Sequence, residues 1–243
     1  MGNGCSLLQA SFAVVDFEWH GINWVICHRR LRSLQRRIVQ AMKAGAWRKT
    51  RRLNYLLVHS FDARVMAIRR VTGNKGGKTP GVDGEVWDSP ELKAAAVKRL
   101  AHVRGYRPKP LKRKYIAKSN GKQRPLSIPV IEDRARQAVH LCALAPIAET
   151  TADPNSYGFR PKRRCADAIA QCFKILSGKN STQWVLEGDI AGFSALAPGV
   201  ALPPPSLGSF DNIAFSWIES SIPIDRRLLS KWLRSGYMED DTL

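Results

Sequence analysis

Between residues 22 and 71, apolar side chains recur at helical spacing, and most positions between them are arginine or lysine. Residues 22–44 read as one helix, with Leu31, Leu34, Ile38 and Ala41 on a single face and Arg29, Arg30, Arg32, Arg36 and Arg37 over much of the rest. Gly45 ends it. Residues 47–71 read as a second such helix, with Leu53, Leu56, Leu57, Phe61, Val65 and Ile68 inward. Its outer positions are Arg48, Lys49, Arg51, Arg52, Arg64, Arg69 and Arg70. Two helices of this kind must bury their apolar stripes and turn cationic faces to the outside. Like charges at helical spacing repel. Almost no acid lies between these faces, so a polyanion is the expected counterpart rather than water alone.

The charge is also grouped along the chain. The 243 residues hold 39 Lys and Arg against 20 Asp and Glu, a net +19. Residues 181–243 contain four basic and eight acidic residues, so residues 1–180 carry +23. Such an excess attracts phosphate polymers and releases their counterions on binding. Apolar residues make up 44%, which predicts a folded chain of one large or two small domains. No apolar run is long enough to span a membrane. The five cysteines form no CxxC pair and, with the five histidines, no zinc spacing, so reduced thiols in a cytoplasmic setting are expected. The start, MGNGCS, fits the short N-myristoylation pattern at Gly2 and Ser6 but has no basic cluster directly beside it. Residues 1–18 are expected to be a disordered leader.

Residues 73–84 (GNKGGKTPGVDG) read as a flexible basic loop. A helix over about 90–103 follows, and 106–114 is too proline-interrupted for a helix. Tyr115–Lys118 and Arg124–Ile128 flank Asn120–Gly121 and predict a hairpin. Residues 131–148 and Cys165–Leu176 read as helices, Gln183–Ile190 as a short strand, and 225–234 as a last helix. Residues 193–208 carry four prolines and no charge, and read as an inserted loop.

Two features could carry chemistry. Asp189, at the end of the strand WVLEGDI, suits a magnesium ligand for phosphoryl transfer, although a single strand-end Asp more often caps a turn. Lys118 and Arg124 sit on opposite arms of the hairpin turn and could both reach a triphosphate. On the residues alone, ordinary hairpin solubility is the preferred account of them.

Five stretches in order resemble group II intron reverse transcriptase/maturases. GKQRPLSIPVIEDRARQAV (Gly121 to Val139) is similar to the first fingers motif, and SYGFRPKRRCADAI (Ser156 to Ile169) to the next. KTPGVDG (Lys78 to Gly84) is similar to the loop ahead of the fingers, and WHGINW (Trp19 to Trp24) with its basic helices to the N-terminal extension. WVLEGDI is similar to the strand of the first catalytic aspartate. The resemblance implies an α+β fold: a leader over 1–18, a helical RNA-binding extension over 19–104, and fingers with a partial palm over 105–243, interrupted by the inserted loop 193–208. It implies RNA-directed DNA polymerase chemistry with Mg2+ at Asp189 and Ile190, and Lys118, Arg124 and Phe210 around the nucleotide. It also implies RNA contacts from Arg29, Arg30, Arg32, Arg36, Arg37, Arg48, Lys49, Arg51, Arg52, Lys75 and Lys78. Intron or template RNA and a DNA primer are the implied partners.

The sequence departs from the family twice. The aromatic expected five residues after Asp189 is Ser194, and Phe210-Asp211-Asn212-Ile213 comes only after the proline-rich stretch. The insertion either loops out, which would restore the family spacing, or breaks the nucleotide site; breakage is the expectation, because such sites tolerate only about half an ångström of error. The family's YADD-like pair and PQG motif are absent, and Tyr237-Met238-Glu239-Asp240-Asp241 has the wrong spacing to replace the pair. A truncated, RNA-binding chain that does not polymerise alone is the leading expectation. A polymerase completed by a partner chain and a degenerate product without a stable fold stay open.

Overall fold

A computed structural model describes residues 18–117, 121, 123–158, 160–186 and 223–239. Asn23 begins helix α1 (Trp24–Lys43) by accepting a hydrogen bond from the Ile26 N–H at 3.1 Å. Gly45 turns the chain out of it at φ 65°, which a glycine adopts without strain. The expected helix over 47–71 is two helices, α2 (Trp47–Val58) and α3 (Phe61–Gly73). Ser60 makes the break. Its hydroxyl donates to the Leu57 carbonyl at 2.7 Å and accepts from the Ala63 N–H at 3.1 Å, closing one helix and capping the next. The redirection leaves Leu56 and Phe61 exposed, at 49% and 39%, where an unbroken helix would have turned them inward. Arg64 is half-buried instead of outward.

A one-turn 3-10 helix, Lys75–Lys78, leads to α4 (Pro90–Ala101), which has Ser89 as its cap and Pro90 in its first turn. The hairpin forms as expected but begins four residues early. Strand β1 (Leu111–Ala117) pairs antiparallel with β2 (Gln123–Ile128), with Ile116 opposite Arg124. Helices α5 (Ile131–Thr151), α6 (Cys165–Leu176) and α7 (Arg226–Leu233) follow. The two-residue strand β3 (Tyr237–Met238) lies parallel to β1 and completes the order β2-β1-β3. The described part of the expected strand Gln183–Ile190, residues 183–186, has no regular structure; the rest lies outside the described residues.

One continuous core runs from Ile22 to Ile147 and includes α5 against α1, α2 and α3. Ile38, Leu57, Ile68 and Ile131 are fully buried at its centre. Each such side chain contributes roughly 1.5–3 kcal/mol over its exposed state. The core thus fixes how the cationic faces of α1 and α2 are held. Among the described residues no helix is long and apolar enough to cross a membrane.

Candidate nucleic-acid interface

The spacing of α1 divides its arginines. Leu31 and Ile38 point into the core, which leaves Arg29, Arg32 and Arg36 along one flank and Arg30 and Arg37 along the other. The first flank borders a shallow groove whose other sides include Val25, His28 and Val39. Arg69 of α3 enters the same groove, with its guanidinium carbon 4.6 Å from the centre of the Trp24 ring. Trp24 is in turn braced edge-on by Trp19 at 5.2 Å. All eleven residues expected to contact RNA are exposed. Among the described residues, ion pairs fall on Arg99, Lys109, Arg136 and Arg160, and none involves α1 or α2. No acidic residue occurs between Glu18 and Asp62. Among the described residues the groove is therefore a cationic strip without internal counterions.

Sequence spacing alone missed Arg69 and Trp24 as parts of this groove. Periodicity assigns a face within one helix, but the meeting of α1 with α3 is set by the core. On α2, Arg48, Lys49 and Arg52 face solvent, whereas Arg51 borders a separate cleft described below.

Lys75 and Lys78 sit on a loop that is anchored, against the expectation of a flexible one. Arg134 of α5 donates to the Gly76 and Thr79 carbonyls, both at 2.7 Å. A Cβ on Gly77 would meet the Thr72 carbonyl oxygen at 2.6 Å, and one on Gly81 would meet the Val130 Cα at 2.7 Å. The glycines of this loop are required by close backbone approach, and the loop presents its two lysines from a fixed base.

The neighbouring residues of the IEDRAR segment also build scaffold. Asp133 is buried and accepts from the Tyr106 hydroxyl at 2.5 Å and the Lys109 N–H at 3.1 Å. Burial raises its carboxyl pKa, and these two donors oppose the rise. Burial and Asp133 likewise push the Tyr106 hydroxyl above the ordinary tyrosine range, which keeps it a donor. Arg136 bonds Glu132 at 2.8 Å and reaches the Arg99 and His102 carbonyls at 3.2 and 3.0 Å, satisfying the end of α4. Arg160 grips Glu149 with two bonds, 3.0 and 2.8 Å, and holds the carbonyls of Asp153 and Ser156.

On the hairpin, Arg124 is exposed and shares a face with Lys112 and Lys114 through its pairing with Ile116. Lys118, Asp189, Ile190 and Phe210, expected around the nucleotide and metal, lie outside the described residues, as does the inserted loop 193–208. Among the described residues no group of three His, Cys, Asp or Glu side chains could hold a metal ion.

Comparison with known proteins reads directly on this geometry. The family of the N-terminal domain of reverse transcriptase matches residues 19–100, which contain α1 to α3 and all but the last residue of α4. The group II intron-encoded protein LtrA of Lactococcus lactis subsp. cremoris is 31% identical over 199 residues, 79% of this chain and 30% of LtrA. The chain is a group II intron reverse transcriptase/maturase-like protein. Protein YkfC of Escherichia coli K12 is 40% identical over 135 residues, 52% of this chain and 35% of YkfC. The matched region of this maturase-like chain thus spans about a third of the length of these relatives.

Proposed function

We propose that the chain holds RNA, as the front of a group II intron maturase, and does not polymerise by itself. The observation that carries this reading is the groove of Arg29, Arg32, Arg36 and Arg69, exposed and without an ion pair among the described residues. The relation to an intron-encoded protein makes intron RNA the natural occupant. Phosphates would sit on the arginine flank, and the anchored Lys75 and Lys78 would extend the contact. Filter binding to a structured RNA should weaken steeply with salt, at a log-log slope of about −3 to −4 for four phosphates neutralised. Reversing Arg29, Arg32 and Arg36 to Glu together should cost roughly a hundredfold in affinity and flatten that slope by about 2. A wild-type affinity indifferent to salt would sink the proposal.

The polymerase role is a second reading, supported by the matching words around Asp189. In it Asp189 and Ile190 hold Mg2+, Lys118, Arg124 and Phe210 surround the nucleotide beside a DNA primer, and a partner chain supplies the missing carboxylates. Primer extension by this chain alone, lost in Asp189→Ala, would overturn the negative half of the proposal.

A further inference from the structure

A second concavity, about 560 Å³, lies between α2, the end of α4, α5 and the entry to α7. That volume is in the range of small-ligand sites. Its floor is apolar, from Val58, Leu100, Val139 and Leu228. Its charged groups are mostly cationic: Arg51, Arg64, Arg136 and Arg226 border it, against the single acid Asp225. Asp225 is already engaged, because it accepts from the Arg227 and Leu228 N–H groups at the start of α7. Arg136 is committed to Glu132 and two carbonyls.

Two of the lining groups lack partners. The buried Nε–H of Arg64 has no acceptor among the described residues, although another nitrogen of the same guanidinium donates to the His59 carbonyl at 3.2 Å. A guanidinium held this way favours an incoming anion. His140 lines the wall and packs edge-on against Trp232 at 5.4 Å. Burial lowers its pKa to about 4, so at neutral pH it is an uncharged imidazole with one donor and one acceptor. Neither ring nitrogen has a hydrogen-bond partner among the described residues. At the lip, the Tyr55 ring is 61% exposed and stacks on His59 at 4.0 Å.

An apolar slot with an aromatic plate at its mouth, an uncharged edge reader and a guanidinium with one unanswered N–H matches a base carrying a phosphate. The surroundings select the source. On α2, Arg51 and Arg52 lie about one helical turn from Tyr55, and Arg48 about one turn before them, so a phosphate chain on this surface passes the mouth. Resting on the RNA-binding reading above, we infer that the cleft between α2, α5 and α7 receives one unstacked nucleotide of the bound RNA. The base enters against Val139 and the Tyr55 plate, and its phosphate is met by Arg64 and Arg51. Unpaired bases stacked on aromatic side chains are a general means of RNA recognition.

Three hairpin RNAs test this with the full chain: one fully paired, one with a single bulged uridine, and one with an abasic bulge that keeps the phosphate. The uridine bulge should bind roughly tenfold tighter than the abasic one. Tyr55→Ala, and separately Val103→Trp at a 44% exposed wall position, should erase that difference and leave the paired hairpin within about twofold. Equal affinity for all three RNAs in the wild type, or a preference that survives in both variants, would refute the cleft assignment and leave the α1 groove intact. Failure to bind any of the three would defeat both. Saturable binding of free uridine monophosphate that bulged RNA cannot displace would assign the cleft to a free nucleotide and overturn the RNA source.

Discussion

The arginines of α1 and those of α5 share a residue type and little else. Arg29, Arg32 and Arg36 stand in solvent, with no acidic residue anywhere between Glu18 and Asp62. Arg134 and Arg136 are half-buried or buried and direct donors to Gly76, Thr79, Arg99, His102 and Glu132, with the Nε of Arg134 left without an acceptor among the described residues. A count of positive charge treats the two groups alike. Their surroundings separate them: an arginine whose donors meet carbonyls and carboxylates is scaffold, and one left unanswered on a like-charged strip is poised for an external anion. The net charge of the front of the chain therefore overstates the charge available to RNA.

The largest expected effect breaks the scaffold side of this contrast. Arg136→Ala takes from Glu132 one of its two arginine partners and leaves the end of α4 without its donor, and should lower folding stability by about 3 kcal/mol in denaturant unfolding. If that variant weakened RNA binding while keeping its stability, the division would collapse. Acidification should act on the same side. His140, beside Arg136, has its pKa held down to about 4 by burial, against 6.5 unfolded. Below pH 6.5 the unfolded chain takes a proton that the folded chain refuses, so stability present at neutral pH is lost as the pH falls toward 4. Thermal melts from pH 7 to 5 should register up to about 2 kcal/mol of this loss, and His140→Gln should flatten it. A wild type and His140→Gln with superimposable pH curves would remove His140 as the cause.

Arg134→Lys probes the border between the two groups, since a lysine cannot fork to two carbonyls. Hydrogen exchange at Gly77 and Thr79 should speed about tenfold, with little change in global stability. Unaltered exchange there would mean that Gly77 and Gly81 fix the loop without the arginine.

Much of the architecture was legible from residues alone. α1, the Asn120–Gly121 hairpin and Cys165–Leu176 each announce themselves by local periodicity or turn chemistry, and each forms. The single long helix over 47–71 failed because apolar spacing runs on through Ser60, whose hydroxyl bonds both ways and decides the break. β3 was invisible for a different reason: Tyr237 pairs with Leu111 across more than a hundred residues, and two strand residues carry no pattern. The candidate site was readable as a set of arginines but not as a groove, because Arg69 joins it only through the packing of α3. Within the family motifs, Asp133, Arg134, Arg136 and Arg160 act through carbonyls, hydroxyls and carboxylates that spacing cannot show. The residues expected around metal and nucleotide, apart from Arg124, lie outside the described residues.

The Tyr106 hydroxyl donates to Asp133 and accepts from the Trp232 indole at 2.9 Å. No residue of α7 belongs to the core that ends at Ile147. During synthesis, everything needed to close that core leaves the ribosome well before Trp232 does. The tyrosine–aspartate pair can thus wait, already formed, as a landing point. An α7 that docks onto this core would close the wall of the cleft after the cationic helices have taken their places.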